Sequence, residues 1–152
     1  MDKLVYRFNN QGTQSKLNSK EILGGKGANL SQMAKLGLPV PPGFTISTKV
    51  CDYFYENNKK IPRKVISLAK KEIELIEKIT KKKFGDLSNP LLVSVRSGAR
   101  VSMPGMMDTI LNIGLNDKTV IALKNKTSNG RFAKDSYRRL IQMYGNVVLG
   151  IE

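Results

Sequence analysis

The feature that most constrains this chain is the way an apolar run ends within residues 91–109. Leu91, Leu92, Val93 and Val95 have the composition of a core strand. Period-two alternation puts Leu91, Val93 and Val95 on one face, and Leu92, Ser94 and Arg96 on the other. The run then breaks into a loop carrying Arg96, Gly98, Arg100, Met103, Pro104, Gly105, Met106, Met107 and Asp108. A buried strand needs no such ending, whereas a loop lying over a flat, charged ligand does. Gly98 and Gly105 allow close backbone approach and positive φ. Arg96 and Arg100 offer planar forks of donors suited to phosphate oxygens. Two readings of the methionines stay open: adaptable surface against an aromatic base, or core packing.

The rest of the chain alternates strands with helices. Residues 4–8 read as a short strand and the polar stretch 9–18 as a loop. Ser19 is placed to cap a first helical turn. Gly24, Gly25, Lys26 and Gly27 then lead into a helix with Leu30, Met33 and Ala34 at helical spacing. Gly37 stops it, and Pro39, Pro41 and Pro42 make a stiff connector. A strand at 43–47 and a helix at 48–57 follow, with Cys51 expected as a small apolar residue on that helix. Pro62 opens a long helix whose expected apolar stripe is Ile66, Ala69, Ile73 and Ile76, continued near Ile79. After a loop at 85–90 come the strand at 91–95, another at 110–115, a short helix at 117–124 and a helix at 131–144. That last helix should carry Ala133, Tyr137, Leu140 and Tyr144 on one side. The pattern defines a mixed α/β chain.

Composition narrows the function. A chain of 152 residues that is 40% hydrophobic has room for a real core. The charge of +14, from 26 basic and 12 acidic residues, fits an anionic partner. No nucleic-acid-binding motif accompanies it, and the lysines are spread over helix faces and loops, so nucleic acid is not the expected partner. Arg131, Lys134, Arg138 and Arg139 read as a solvated basic face. One cysteine excludes an internal disulfide, and the absence of histidine excludes Ser-His and Cys-His nucleophiles and histidine metal sites. No long apolar segment suggests a membrane span, and the cytoplasm is the expected compartment.

What remains is phosphate handling. Gly24, Gly25, Lys26 and Gly27 stand at a helix start, where free amides and the helix dipole favour an anion. The motif is not a Walker loop, since Lys26 is followed by glycine and the glycine spacing differs. From the residues alone, a phosphate cradle and a plain glycine turn with an exposed lysine are equally good readings.

These motifs together resemble the pyruvate phosphate dikinase family, in its N-terminal nucleotide-binding domain. The resemblance rests on Leu23-Gly24-Gly25-Lys26-Gly27-Ala28-Asn29-Leu30, on Gly37-Leu38-Pro39-Val40-Pro41-Pro42-Gly43-Phe44-Thr45-Ile46, on residues 91–109 and on residues 132–145. It implies the N-terminal part of an ATP-grasp-like domain spanning residues 1–152, ended early. ATP is the implied ligand, with Lys26, Arg96, Gly98, Arg100, Gly105 and Thr109 in the binding site; Arg100 has pairing with Asp108 as its alternative. The intact family converts ATP, pyruvate and phosphate to AMP, phosphoenolpyruvate and pyrophosphate, using Mg2+. The resemblance implies that the phosphohistidine and pyruvate-binding domains are absent here, together with the acidic Mg2+ ligands. No residue of this chain is therefore expected to be catalytic or a metal ligand. The implied function is that of an ATP-binding fragment, unable to complete the reaction alone, with the missing domains on another chain as a candidate partner. The rival expectations are a basic module for polyanions and a decayed, inactive remnant. Apolar surface is expected to stay uncovered around 147–149 and 103–107.

Overall fold

The computed structural model describes residues 3–9, 12–13, 20–98 and 109–151. The chain divides into two compact units: Met1–Ile79 with Gly98–Pro104, and Thr80–Ser97 with Gly105–Glu152.

The first unit is built on β1 (Val5–Asn9), β2 (Gly12–Thr13) and β3 (Gly43–Ile46), in the order β2-β1-β3, with β1 antiparallel to both neighbours. The stretch 9–18 thus contains a paired strand where the sequence suggested only a loop. Two residues carry too little pattern to announce a strand. Val5 and Phe8, three positions apart, point to opposite faces of β1, and both are buried. Central strands covered on both faces have this signature. On one face Phe8 forms a core cluster with Ala34, Val40 and Leu30. Ala34 and Leu30 come from α1 (Lys20–Lys35). On the other face Arg7 reaches α3 (Arg63–Thr80), donating to Glu72 through Nε at 2.6 Å and Nη2 at 3.0 Å. That hydrogen bond, more than the Coulomb attraction of the same carboxylate, raises the Arg7 pKa. Opposite Phe8 in the ladder stands Gly43, where a Cβ would lie 2.5 Å from the phenyl ring. The aromatic occupies the space a side chain would fill.

The helix ends follow from local chemistry. Gly37, at φ 73, closes α1 with two backbone bonds: its own N–H to the Ala34 carbonyl at 3.2 Å, and the Leu38 N–H to Met33 at 3.1 Å. Ser47 is buried and caps α2 (Thr48–Glu56), accepting from the Lys49 amide at 3.3 Å. Cys51 on α2 is exposed, not packed. The α3 stripe is met in its middle and missed at its ends. Ile76 is buried and Ala69 and Ile73 are half-buried, as expected, but Ile66 and Ile79 are 45% and 47% exposed and Val65 is buried in their place. The inward face includes Glu72, whose bond to Arg7 makes a charged residue an inside position that hydrophobic periodicity does not register.

The second unit pairs β4 (Val93–Arg96) with β5 (Thr109–Ile113), antiparallel. The strand begins two residues later than the alternation suggested and takes in Arg96. Val93 faces Ile113, but Val95 faces Ile110, so β5 carries one extra residue in between. Asn112 lies in that interval at φ 60, a conformation asparagine tolerates, and its Nδ2 donates to the Ser136 carbonyl at 3.2 Å. Leu91, just before β4, is buried, while Val95 near the end of the strand is 52% exposed. Ser136 belongs to α5 (Gly130–Leu149), which packs on β5 and on α4 (Thr119–Thr127). Asn116 caps α4: its Oδ1 accepts from the amides of Lys118 and Thr119, both at 2.9 Å. Thr119, fully buried, donates its hydroxyl to the Gly114 carbonyl at 2.9 Å. The inner face of α5 carries Ala133, as expected, and Ser136; Tyr144, expected on the same side, is 48% exposed. Val147, Val148 and Leu149 are 38%, 50% and 60% exposed, in line with the uncovered apolar surface expected there; residues 103–107 lie outside the described residues.

The 83–90 loop is held by Asp86. Its Oδ1 accepts from the Asn89 amide at 2.8 Å and from the Ser88 hydroxyl and amide, both at 2.7 Å. These donors, the Asn89 amide foremost, hold the carboxyl at about 2, below its usual 3.8. A depressed folded value contributes stability above the unfolded pKa and loses it as pH falls through the folded one. Asp86→Ala should therefore lower the melting temperature at neutral pH. The gap to the parent should shrink between pH 3.8 and about 2, as followed by thermal melts across that range.

Candidate functional site

The α1 helix is not continuous. Gly24 sits inside it at φ 67, ψ 169, an extended left-handed conformation that takes the chain out of the helix and back in. Only glycine adopts this region without strain. Residues 20–23 thus form a first turn with its own carbonyl end, and a new helix begins with Gly25, Lys26 and Gly27. The amides opening such a helix lack intrahelical acceptors, and the helix dipole adds positive potential there.

Three contacts fix this break, all within the first unit. A Cβ on Gly24 would run into the carbonyl of Gly98, so the Gly98 peptide is seated directly on the turn. A Cβ on Gly27 would lie 2.7 Å from the Thr45 methyl and 3.0 Å from its hydroxyl oxygen. The Thr48 hydroxyl donates to the Glu21 carbonyl. Gly24 and Gly27 are buried and Lys26 is half buried. Among the described residues, Lys26 has no ion-pair or hydrogen-bond partner.

The site residues named from sequence fall into three groups. Lys26 and Gly98 belong to the turn just described. Arg96 and Thr109 face each other as cross-strand partners at the end of the β4–β5 ladder, in the second unit. Arg96 is exposed there and has no acidic partner among the described residues. Arg100 and Gly105 lie outside the described residues, as do Asp108 and Met103, Met106 and Met107. Sequence reasoning missed Thr45 and Thr48. Thr45 meets Gly27 and Thr48 meets Glu21 across long stretches of sequence, from a strand and a helix start that read as ordinary scaffold.

The basic residues of α5 are where a solvated face would put them. Asp135 accepts from Arg138 Nε at 3.0 Å and from Arg139 Nε at 2.8 Å. The Arg138 bond is the main cause of the lowered Asp135 pKa. Arg138 and Arg139 edge a shallow, open depression with Lys124, Arg131, Phe132 and Lys134. Among the described residues there is no group of three or more His, Cys, Asp or Glu side chains placed to hold a metal ion. No helix among them is long and apolar enough to cross a membrane.

A mixed α/β chain with a glycine-broken helix at its core has relatives of a definite kind. Residues 20–83, which include the break and its threonine supports, match the family described as "Pyruvate phosphate dikinase, AMP/ATP-binding domain". The chain is 52% identical over 151 residues to a pyruvate, phosphate dikinase of Rickettsia conorii and 52% identical over 152 residues to one of Rhizobium meliloti. It is 56% identical over 134 residues to that of Entamoeba histolytica. These alignments cover 99%, 100% and 88% of this chain, but 17%, 17% and 15% of the respective relatives. Over nearly its whole length the chain is similar to pyruvate, phosphate dikinases, and it spans about 17% of the length of such relatives.

The glycine geometry gives a direct test. Gly24→Ala must place a Cβ against the Gly98 carbonyl in a backbone region closed to alanine. It should cost about 1–3 kcal/mol of stability, read as a lowered denaturation midpoint. Gly37→Ala has open space around its Cβ and strains only φ, so it should cost less.

Proposed function

We propose that this chain binds the phosphate groups of ATP at the 24–27 turn, as part of a dikinase nucleotide-binding domain of ATP-grasp type. The observation that carries this reading is the break at Gly24. It opens a helix N-terminus inside the segment that matches an AMP/ATP-binding domain, and it is flanked by the Gly98 peptide, Thr45 and Thr48. In this reading the amides after Gly24 face phosphate oxygens, and Lys26 adds a point charge. Arg96 supplies a planar fork for phosphate, supported across the ladder by Thr109, and Gly98 gives the close backbone approach. Arg100 and Gly105, outside the described residues, complete the proposed set.

The chemistry available to such a set is positioning and charge neutralisation, the main protein tasks in phosphoryl transfer. Mg2+, which the family resemblance implies, finds no cluster of carboxylates among the described residues, so its ligands are not these. The chain has no histidine to carry a phosphoryl group. In this proposal the rest of the dikinase reaction belongs to sequence outside these 152 residues.

Two outcomes follow. Titration calorimetry should show ATP binding that weakens about tenfold or more in Lys26→Ala and in Arg96→Ala, the loss expected of one charge-assisted contact. Unchanged affinity in both variants would mean that the turn and the strand end are structural only. The 152-residue chain should also form no phosphoenolpyruvate from ATP, pyruvate and phosphate. Sustained product from a contaminant-free preparation would refute this.

A further inference from the structure

The Gly24 break raises a question that the glycine alone does not answer: what keeps the two helical pieces from joining? In an uninterrupted α-helix the Glu21 carbonyl accepts the amide of Gly25, four residues on. Here Gly24, at φ 67 and ψ 169, lies between those two residues and leaves the helical path. The first turn then ends with carbonyls that lack the usual intrahelical donors. One of them, Glu21, is taken by the hydroxyl of Thr48. Thr48 is the first residue of α2, directly after the buried Ser47 that caps this helix. Its position is further fixed by the backbone, because the Ser47 amide donates to the Leu4 carbonyl at 2.9 Å beside the β1–β3 ladder. The donor is thus anchored to the sheet, while its acceptor is the loose end of a helical turn.

We propose that Thr48 is a positioning residue for the phosphate-binding turn. By engaging the Glu21 carbonyl, its hydroxyl stabilises the broken form of α1 over the continuous one. The Gly25 amide is thereby left available to an anion. Thr45, two residues before Ser47 on the same strand, fills the space beside Gly27 and sets the second piece against the sheet. The β3–α2 corner therefore holds both sides of the break, one by a hydrogen bond and one by packing. This inference rests on the reading of the 24–27 turn as the ATP site, and it adds the residue that keeps the turn in binding form.

The test compares Thr48→Val, which keeps the shape and removes the hydroxyl, with Thr48→Ser, which keeps the hydroxyl. Lys26→Ala is the control for the site itself. Amide hydrogen exchange of Gly25 in the nucleotide-free 152-residue chain is read first. Thr48→Val should slow it severalfold as the helix closes on Glu21, and Thr48→Ser should leave it near the parent rate. ATP titration is read second. Thr48→Val should weaken binding about tenfold, whereas Thr48→Ser should stay within about twofold. Parent-like exchange at Gly25 in Thr48→Val overturns the positioning role. So does parent-like ATP affinity in Thr48→Val when Lys26→Ala has lost binding. If Lys26→Ala and Thr48→Val both bind ATP as the parent does, the turn is not the phosphate site, and the role assigned to Thr48 falls with it.

Discussion

A single backbone conformation, that of Gly24, organises the first unit. Positive φ with extended ψ is open to glycine and closed to residues with a Cβ. Placing that conformation inside α1 divides the helix into a short turn and a longer piece. The longer piece gains a free N-terminus in the middle of a packed domain rather than at its edge. Buried helix ends are unfavourable unless their amides and carbonyls find partners. At the carbonyl side the Thr48 hydroxyl is such a partner. At the amide side the phosphate of the proposed ligand would be such a partner. In the proposed reading, a feature that would be a defect in an ordinary helix serves as a binding device.

The second unit shows the same economy in a different element. The extra residue in β5 shifts the ladder between Val93 and Val95, and Asn112 absorbs it at positive φ while tying the strand to α5 through Ser136. Downstream of the shift, Arg96 pairs with Thr109 and ends the ladder in the open. The extra residue lies in β5, so it re-aims side chains of β5 and leaves the alternation of β4 intact. Arg96 is exposed as the last residue of β4, at the open end of the ladder.

These dependencies mark the limit of what the sequence could disclose. The helices, the stop at Gly37 and the glycine motif were legible because they rest on local rules: Cβ sterics, backbone conformation and period. The strand at 12–13 was not, because two residues pair only by virtue of their distant partner β1. Nor was the true face of α3. The pattern of isoleucines found Ile76 but also pointed to Ile66 and Ile79, which are exposed, and it passed over Val65 and the ion-paired Glu72. Of the residues named from sequence, Lys26 follows the expected glycine break, whereas Arg96 and Thr109 both lie within strands, Thr109 one residue before the strand start that the sequence suggested. Thr45 and Thr48 escaped because a threonine in a strand or helix start carries no signal of what it touches.

Charge gives the last connection between the two scales. With 26 basic and 12 acidic residues, carboxylates are the scarce group in this chain. Several of those described are committed to the scaffold. Glu72 holds Arg7, Asp135 holds Arg138 and Arg139, Asp86 closes its own loop, and Asp117 accepts the Tyr137 hydroxyl at 3.0 Å. Lys26 and Arg96 are left without an acidic neighbour among the described residues. A cation with a carboxylate partner must give it up before it can engage phosphate, and the exchange returns little net energy. Lys26 and Arg96 face no such exchange. Their attraction for a multiply charged anion is opposed mainly by loss of water and of side-chain freedom. The same argument separates them from Arg138 and Arg139, which are just as basic and just as legible in the sequence. Asp135 already neutralises part of the positive potential around those two, so basic character alone does not mark a phosphate ligand in this protein.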